Sequence, residues 1–206
     1  MNKISNKNSY DKIAFQWTDE RKKSFVSKLV IEFANKVKPG GKILDMGCGG
    51  GIPNAAYLCD KGFSLTGIDA SEKMIHIARD NKIRNAIFEV GDILEYKPTD
   101  TFDGILAWDS LFHLPYERQH DIYQKISNWL NDGGWFLFSH CGEDGEIIDD
   151  MLGEKLYYSG LPKDTVRQLL TDAGFEIEMI IEDYKERDME KALVVMTKKI
   201  RGTSEA

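Results

Sequence analysis

Three glycines at alternate positions, Gly47, Gly49 and Gly51, follow apolar residues and an acid in the stretch KILDMGCGGGI, residues 42–52. Apolar residues that run into such a turn predict a buried strand that breaks into a tight loop. Glycine permits positive φ and lets a ligand approach the backbone closely. Pro53 suits the first turn of a helix, so the loop would present free backbone N–H groups at a helix N-terminus. These features predict a nucleotide-type site.

Acidic side chains follow the next two predicted strands. FSLTGID, residues 63–69, ends at Asp69, which lies twenty-two positions beyond Gly47. That spacing suits a carboxylate that accepts ribose hydroxyls, and a helix cap is the alternative role for Asp69. AIFEV, residues 86–90, runs into Asp92. Because ligands of open parallel sheets bind beyond the carboxyl ends of the strands, these acids and the glycine turn predict one cleft.

Side chains that could move a proton follow the fourth and fifth predicted strands, FDGILA and WFLFSH. The segment WDSLFH, residues 108–113, contains Asp109 and His113, and His140 ends the fifth strand. Because imidazole titrates near neutral pH, we predict His113 as a general base. The alternative is that His113 caps a helix or hydrogen-bonds backbone before Pro115, while Asp109 only orients a substrate.

The elements that must position these groups alternate between strands and helices through residue 140. Alternation of this kind predicts a parallel sheet with helices on both faces. FEIEMIIE and ALVVM follow as two strands with a short link over residues 183–191, which suggests an antiparallel pair. Helical spacing of apolar residues predicts a helix over residues 19–37, preceded by residues 1–9 that are polar and expected to fray. Residues 141–161 lack a steady period and are predicted to form an insertion beside the site.

Length and charge limit the class of protein. With 206 residues, the chain is expected to form one domain over residues 1–206. A formal net charge of −7 and the lack of a Lys/Arg cluster argue against nucleic acid as a partner and favour a small molecule. The three cysteines have no metal-ligand spacing, which predicts reduced thiols in a cytoplasmic setting and no metal site. No export signal and no run of about 18 uncharged apolar residues is found, so no membrane insertion is predicted. The sequence carries no signal for an oligomeric state.

The glycine spacing separates two classes of nucleotide. A dinucleotide fingerprint needs a third glycine three positions after the second, and that position is Ile52. The pattern G-x-G-x-G, preceded by an acid, instead suits a sulfonium nucleoside whose amino-acid tail lies against the backbone. Asp69 would then hold the ribose, and Asp92 would accept the adenine amino group. Met74 and Ile93 would be apolar neighbours of the ring.

Six motifs extend this pattern over nearly the whole chain. They are LDMGCGGG at 44–51, GIDAS at 67–71, GDI at 91–93, FDGILAWDSLFHL at 102–114, LNDGGWFLF at 130–138 and LLTDAGFEI at 169–177. Together they closely resemble the class I S-adenosylmethionine-dependent methyltransferases of the small-molecule type. The resemblance implies an α/β fold with a Rossmann-like, doubly wound, seven-stranded sheet in the order 3-2-1-4-5-7-6. It also implies that the seventh strand is antiparallel and that helices cover both faces.

The resemblance further implies S-adenosyl-L-methionine as cofactor and S-adenosyl-L-homocysteine as product. Asp45 and Gly47 would lie near the methionine moiety, Asp69 at the ribose, and Asp92 with Ile93 at the adenine. The cofactor-binding residues expected on this basis are Asp45, Gly47, Cys48, Gly49, Gly51, Asp69, Ala70, Met74, Gly91, Asp92, Ile93 and Ala107.

Two variable segments are predicted to build the acceptor pocket, namely the N-terminal arm and helix over residues 8–38 and the insertion over residues 141–161. Their aromatic side chains could close over the ligands as lids do, and ordinary packing of the arm is the alternative. The expected substrate and lid residues are Tyr10, Trp17, Trp108, His140, Tyr157 and Tyr158.

The predicted activity is in-line transfer of the cofactor's methyl group to an O, N, S or C nucleophile of a small molecule. A non-catalytic protein that binds the cofactor and kept the fold is the alternative. A nucleic-acid methyltransferase is disfavoured by the net charge and by the sequence after strand four. That sequence reads WDSL at residues 108–111, where the motif N/D-P-P-Y/F would be expected.

Overall fold

Strands and helices alternate along most of the chain in the computed structural model, which describes residues 4–200. The helices are α1 (Asn6–Lys22), α2 (Lys28–Lys36), α3 (Asn54–Asp60), α4 (Glu72–Asp80), α5 (Gln119–Trp129) and α6 (Lys163–Asp172). The strands are β1 (Lys42–Met46), β2 (Ser64–Asp69), β3 (Ala86–Val90), β4 (Phe102–Ala107), β5 (Leu130–His140), β6 (Gly145–Met151), β7 (Glu154–Gly160), β8 (Phe175–Glu186) and β9 (Met189–Lys199). Two 3₁₀ turns, Leu111–His113 and Tyr116–Arg118, connect β4 to α5.

Seven strands form the main sheet in the order β3-β2-β1-β4-β5-β9-β8. Strands β1 to β5 are parallel, whereas β9 pairs antiparallel with both β5 and β8. Because β6 and β7 form a separate hairpin, β8 and β9 are the sixth and seventh strands of the main sheet. The predicted order 3-2-1-4-5-7-6, with an antiparallel seventh strand, is therefore confirmed.

The hydrophobic core lies on both faces of this sheet. Successive residues of a strand point to opposite faces, and on β1 Ile43 packs with α2, α3 and α4, whereas Leu44 packs with α5 and α6. Every residue of β4 is buried, as expected for a central strand covered on both sides. Complete burial of a side chain such as Phe33 contributes about 1.5–3 kcal/mol. The helices thus fix the strand ends from both sides.

The predicted helix over residues 19–37 is wrong, because the structure has two helices there. Helix α1 ends at Lys22, and Ser27 then caps α2 by accepting a hydrogen bond from the Leu29 amide at 3.2 Å. The carboxylate of Glu186 also accepts from the Lys28 amide at 3.0 and 3.3 Å, so a distant strand end stabilises the new helix N-terminus.

The prediction that residues 1–9 fray is also wrong for the part that the structure describes. Residues 1–3 lie outside the described range, and α1 already begins at Asn6 after its cap Ser5. The buried residues of α1 are small or polar apart from one isoleucine, and they are Ser9, Ile13, Ala14 and Thr18. Such a helix leaves only a weak periodic pattern in the sequence.

The insertion over residues 141–161 is regular rather than irregular. Strands β6 and β7 form an antiparallel hairpin in which Glu146 pairs with Ser159 and Ile148 pairs with Tyr157. Most of β6 is exposed on both faces, so it lacks the alternation by which a half-buried strand is recognised. The predicted link over residues 183–191 is shorter in the structure, where only Arg187 and Asp188 separate β8 from β9.

Candidate active site

A cleft of about 990 Å³ opens at the carboxyl ends of β1, β2 and β4. Helix α1 and the β6–β7 hairpin border the opposite side of this cleft. The predicted residues that line it are Tyr10, Trp17, Asp45, Gly47, Cys48, Gly49, Asp69, Ala70, Met74, Gly91, Asp92, Ile93, Trp108, Asp109, His113 and Tyr157. Residues from six separate segments of the sequence thus meet in one place.

The three glycines of the first loop have different roles. Gly47 has φ of +76°, and a Cβ there would lie 2.4 Å from the Ser110 Cβ, so the loops after β1 and β4 can approach only because this residue is glycine. Gly49 has φ of +53° and open space where its Cβ would be, which leaves its backbone accessible from the cleft. Gly51 does not line the cleft, and a Cβ there would meet Ile83 at 2.9 Å.

Asp69 connects the glycine loop to the start of α4. Its Oδ2 accepts from the Gly49 amide at 2.9 Å, and its Oδ1 accepts from the Ser71 amide at 2.9 Å. Ser71 in turn caps α4 by accepting from the Met74 amide. Asp69 therefore stabilises the start of α4 through the amide of its cap Ser71, which is close to the alternative role predicted for it. Because an ionised carboxylate has about four acceptor positions, Asp69 can still accept hydroxyl donors from the cleft.

Two carboxyl groups in the cleft have raised pKa values. Burial, with a smaller contribution from the charge of Asp69, raises the pKa of Asp45 to about 7. Burial raises the pKa of Asp69 to about 6, although the Ser71 and Gly49 amides partly oppose this effect. A positively charged or hydroxyl-bearing ligand would favour the ionised form of both acids. This electrostatic pattern suits a ligand that brings an amine and a ribose.

His113 is held by a hydrogen bond at each ring nitrogen. Its Nδ1 lies 2.9 Å from the Tyr157 carbonyl oxygen, which can only accept, so Nδ1 carries the proton. Its Nε2 therefore accepts from the Tyr10 hydroxyl at 2.8 Å. Burial lowers the pKa of His113 to about 4, so the ring is neutral near pH 7. The hydrogen bond to backbone that was the alternative role for His113 is therefore present, at Nδ1. The basic nitrogen of the ring, Nε2, faces the Tyr10 hydroxyl.

Asp109 lies four positions before His113 and forms an ion pair with Lys191. Lys191 of β9 donates to its two carboxylate oxygens at 2.8 and 2.9 Å, and the Ser139 hydroxyl donates to Oδ1 at 3.0 Å. The backbone of Asp109 has φ of +60°, which costs energy for a residue other than glycine, and its amide donates to Ser139 Oγ. These contacts fix Asp109 as an oriented, neutralised carboxylate rather than a free base.

Four of the predicted site residues do not line the cleft. Ala107 is fully buried in the core and His140 is 2% exposed beneath the site. Tyr158 packs its ring against His113 at a centroid distance of 4.8 Å. The fourth is Gly51, as described above.

Sequence reasoning also missed residues of the site. Lys191 lies within the predicted link, and nothing in the sequence around it signals a partner in the loop after β4. Arg21 lines the cleft four positions after Trp17 and stacks on that ring, with 5.6 Å from the guanidinium carbon to the ring centroid. Helical spacing from Trp17 could have identified it, had α1 been predicted to cover this segment. Ile147 and Ile148 line the mouth and are 61% and 54% exposed.

Helix α1 crosses the cleft and is fastened at both sides. Near its N-terminus, the Asn6 side chain donates to the Tyr157 carbonyl and accepts from the Tyr157 amide, both at 2.8 Å. On the other side, Asp11 accepts from the Ser71 hydroxyl at 2.6 Å and from the Lys73 amide at 3.2 Å. The helix therefore bridges the hairpin and the start of α4, with Tyr10 directed at His113 between them.

The described residues contain neither a metal site nor a membrane-spanning helix. No group of three or more His, Cys, Asp or Glu side chains between residues 4 and 200 is arranged to hold a metal ion. Within the same range, none of the helices is long and apolar enough to cross a membrane.

The family model described as a methyltransferase domain matches residues 18–179 of the chain. The chain therefore belongs to this methyltransferase family. Its sheet order and antiparallel seventh strand are those of the class I, Rossmann-like S-adenosylmethionine-dependent members, so the resemblance seen in the sequence is confirmed.

Individual relatives agree with this membership. The chain is 31% identical over 177 residues to phosphoethanolamine N-methyltransferase 3 of Arabidopsis thaliana, which covers 82% of this chain and 34% of that protein. It is 24% identical to the ubiquinone biosynthesis O-methyltransferase of Chromobacterium violaceum, over 76% of this chain and 71% of that one. The chain thus spans about a third of the length of the plant relative.

Solved structures share the fold. An S-adenosylmethionine-dependent methyltransferase from Methanosarcina mazei superimposes with a TM-score of 0.71 at 21% identity, covering 86% of this chain and 99% of that one.

Proposed function

We propose that this chain binds S-adenosylmethionine and transfers its methyl group to a small-molecule acceptor. One observation carries the proposal, namely that Gly49, Asp69 and the Tyr10–His113 pair line a single cleft at the carboxyl ends of the strands. A cofactor site and a proton-accepting pair are thereby adjacent, as a group-transfer enzyme requires. Membership of the methyltransferase family supports the same function.

The residues of the cleft fit this cofactor. Asp69 would accept the ribose hydroxyls, and the accessible backbone at Gly49 would let the nucleoside lie close. Asp92 would meet the adenine amino group, and its Oδ1 is already oriented by the Leu94 amide at 2.8 Å. Asp45, whose pKa is raised to about 7, would gain a cationic partner in the amino group of the methionine tail. When bound, S-adenosylmethionine supplies a methyl group on a positively charged sulfonium sulfur. That sulfur leaves readily as the thioether of S-adenosylhomocysteine.

The chain's own task is then to align the acceptor and to take its proton. Alignment at near-attack distance contributes most of the rate when the leaving group is already good. The neutral Nε2 of His113 is the proton acceptor, and because the Tyr10 hydroxyl is bonded to it, the acceptor's proton would pass to the Tyr10 oxygen as the hydroxyl proton moves to Nε2. Asp109, neutralised by Lys191, orients the acceptor without adding net charge. Helix α1 covers the site and excludes water.

The acceptor class follows from the lining beyond the cofactor residues. Tyr10, Trp17, Trp108 and Tyr157 provide aromatic surface, and Arg21 adds a cation at the side of α1. We propose an acceptor that carries a hydroxyl or amine next to an apolar or anionic group. Phosphoethanolamine and hydroxyl-bearing compounds of ubiquinone biosynthesis, suggested by the names of the two relatives, are the first compounds to test.

The direct test is release of S-adenosylhomocysteine from S-adenosylmethionine by the purified chain, with these compounds and with fractionated metabolites. We expect release that depends on an acceptor and that falls at least tenfold in the His113→Ala variant, because proton transfer contributes about 10²- to 10⁴-fold. The His76→Ala variant is the matched control, since His76 is exposed on α4. Cofactor binding without release for any acceptor would favour the non-catalytic alternative.

A further inference from the structure

A chain of buried hydrogen bonds runs beneath the cleft from the end of β5 to the turn before α5. The Gly142 amide donates to His140 Nδ1 at 3.2 Å, so the proton of His140 lies on Nε2, which donates to Gln119 Oε1 at 2.8 Å. The Gln119 amide group donates to the Ser159 carbonyl at 2.9 Å and to Ser159 Oγ at 2.7 Å. Ser159 Oγ then donates to the Leu114 carbonyl at 2.6 Å. Every bond in the chain has a defined direction.

The three side chains of this network are almost completely buried. His140 is 2% exposed, and Gln119 and Ser159 are each 1% exposed. None of them lines the cleft, so contact with a ligand does not explain their presence there. A buried polar group that loses its partner costs about 1–3 kcal/mol, so a satisfied network of this kind strongly favours one arrangement of the backbone.

The backbone that the network fixes is the backbone that holds His113. Leu114 directly follows the 3₁₀ turn that ends at His113, and its carbonyl is held by Ser159 of β7. Tyr157, two residues before Ser159 on the same strand, supplies the carbonyl that accepts from His113 Nδ1. The network therefore joins the segment that carries the imidazole to the strand that selects its tautomer.

We propose that Gln119, His140 and Ser159 are positioning residues that hold His113 with its proton on Nδ1 and its Nε2 directed at Tyr10. Without the bonds of Ser159, the turn and β7 can separate, and the bond from Nδ1 to the Tyr157 carbonyl weakens. A displacement of about 1 Å at a catalytic group can lower a rate by about 10²-fold. The effect on turnover rests on the proposed function, whereas the effect on the ring of His113 does not.

The test compares Ser159→Ala with Ser127→Ala by nitrogen NMR of the histidine rings, assigned with single-histidine variants among the four histidines. Ser127 is a matched control because it is a buried serine of α5, 5% exposed, outside both the network and the cleft. We expect one Nδ1-protonated form of His113 in the wild type and in Ser127→Ala, and a mixture of tautomers in Ser159→Ala. Ser159→Thr, which keeps the hydroxyl, should restore the single form.

A second variant guards against loss of folding. Gln119→Glu keeps an acceptor for His140 but cannot donate to Ser159, so it should also produce mixed tautomers of His113. Identical His113 signals in wild type, Ser159→Ala and Gln119→Glu would overturn the proposal. Where an acceptor is known, kcat should fall about 10- to 100-fold in both variants while affinity for S-adenosylhomocysteine stays within about twofold. If no acceptor is ever turned over, the proposed function fails, and the NMR result still decides the positioning role.

Discussion

Asp45 and Asp69 are two buried acids, and the charge of Asp69 adds to the effect of burial in raising the pKa of Asp45, which destabilises the protein when no ligand is bound. The pKa of Asp45 is about 7 in the folded chain and near 3.8 for an ordinary aspartate. Because the folded value is raised, the stabilising contribution of the protonated group is complete below pH 4 and is lost as pH rises through 7. The buried carboxylate of Asp45 therefore lowers the free energy of unfolding at neutral pH.

Replacement of Asp45 by asparagine should relieve this cost. We expect Asp45→Asn to raise the free energy of unfolding by about 1–3 kcal/mol at pH 8 and by only about a third as much at pH 5, where Asp45 is uncharged in the folded chain but already ionised in the unfolded chain. Urea unfolding at the two pH values measures the difference. Asp188→Asn, an exposed residue in the turn between β8 and β9, is the control and should change neither value. An equal effect of Asp45→Asn at both pH values would show that packing, not ionisation, is responsible.

The pH dependence of turnover reports the protonation state of His113. Because the lowered pKa of His113 is about 4, its imidazole is neutral over the whole range from pH 6 to 8. Turnover should therefore be flat across that range as far as His113 is concerned, without the step near pH 6.5 that a solvated histidine gives. Initial rates at saturating cofactor and acceptor test this. A sigmoid centred near 6.5 that disappears in His113→Ala would mean that His113 is solvated during the reaction.

The site residues divide into those that sequence can find and those that it cannot. Gly47, Gly49, Asp69 and Asp92 lie at strand ends, where local pattern and chain order suffice to bring them together. Lys191 reaches Asp109 only through the pairing of β9 with β5, and such a contact leaves no local trace. The same holds for the pair of hydrogen bonds that selects the tautomer of His113.

At the scale of elements, the parallel strands were predictable because each is a short apolar run that ends in glycine or an acid. The break between α1 and α2 was not, since Phe25 and Val26 continue a helical spacing across residues 23–27. Ser27 and the remote carboxylate of Glu186 decide where α2 begins. The β6–β7 hairpin was missed because β6 buries no face of its own. Tertiary contacts, rather than local propensity, determine both features.

The two sides of the cleft are held differently, which leads to a prediction about motion. Strand β7 is fastened by Ser159 and Tyr157, whereas β6 is exposed and α1 is held by hydrogen bonds of Asn6 and Asp11 in its first half. We expect α1 to move aside for ligand entry, so its amides should exchange more slowly when S-adenosylhomocysteine is bound.

Hydrogen exchange followed by mass spectrometry measures this motion. Peptides that cover α1 and β6 should gain protection with ligand, and a peptide that covers α6, on the far side of the sheet, is the internal control. Protection in β7 should change little because it is already anchored. Equal exchange of α1 with and without ligand would mean that α1 is a fixed wall of the cleft and not a lid.

At the scale of the whole molecule, the sheet brings one end of every functional strand to the same edge. The helices on both faces make that edge rigid, and α1 with the β6–β7 hairpin closes the open side. The result separates the proposed cofactor site, at the ends of β1 and β2, from the proposed proton-accepting pair beside the end of β4. The central claim is that S-adenosylmethionine binds in this cleft with its ribose on Asp69.

Calorimetric titration of S-adenosylhomocysteine into the wild type and into Asp69→Ala at pH 8, where Asp69 is ionised, tests that claim most directly. Far-ultraviolet circular dichroism checks that the variant is folded, since Asp69 also holds the Gly49 and Ser71 amides. We predict one site per chain in the wild type and an affinity that is weaker by about 1.5–3 kcal/mol, or roughly 10- to 150-fold, in the variant. No binding to the wild type, or equal affinity in a folded Asp69→Ala variant, would contradict it.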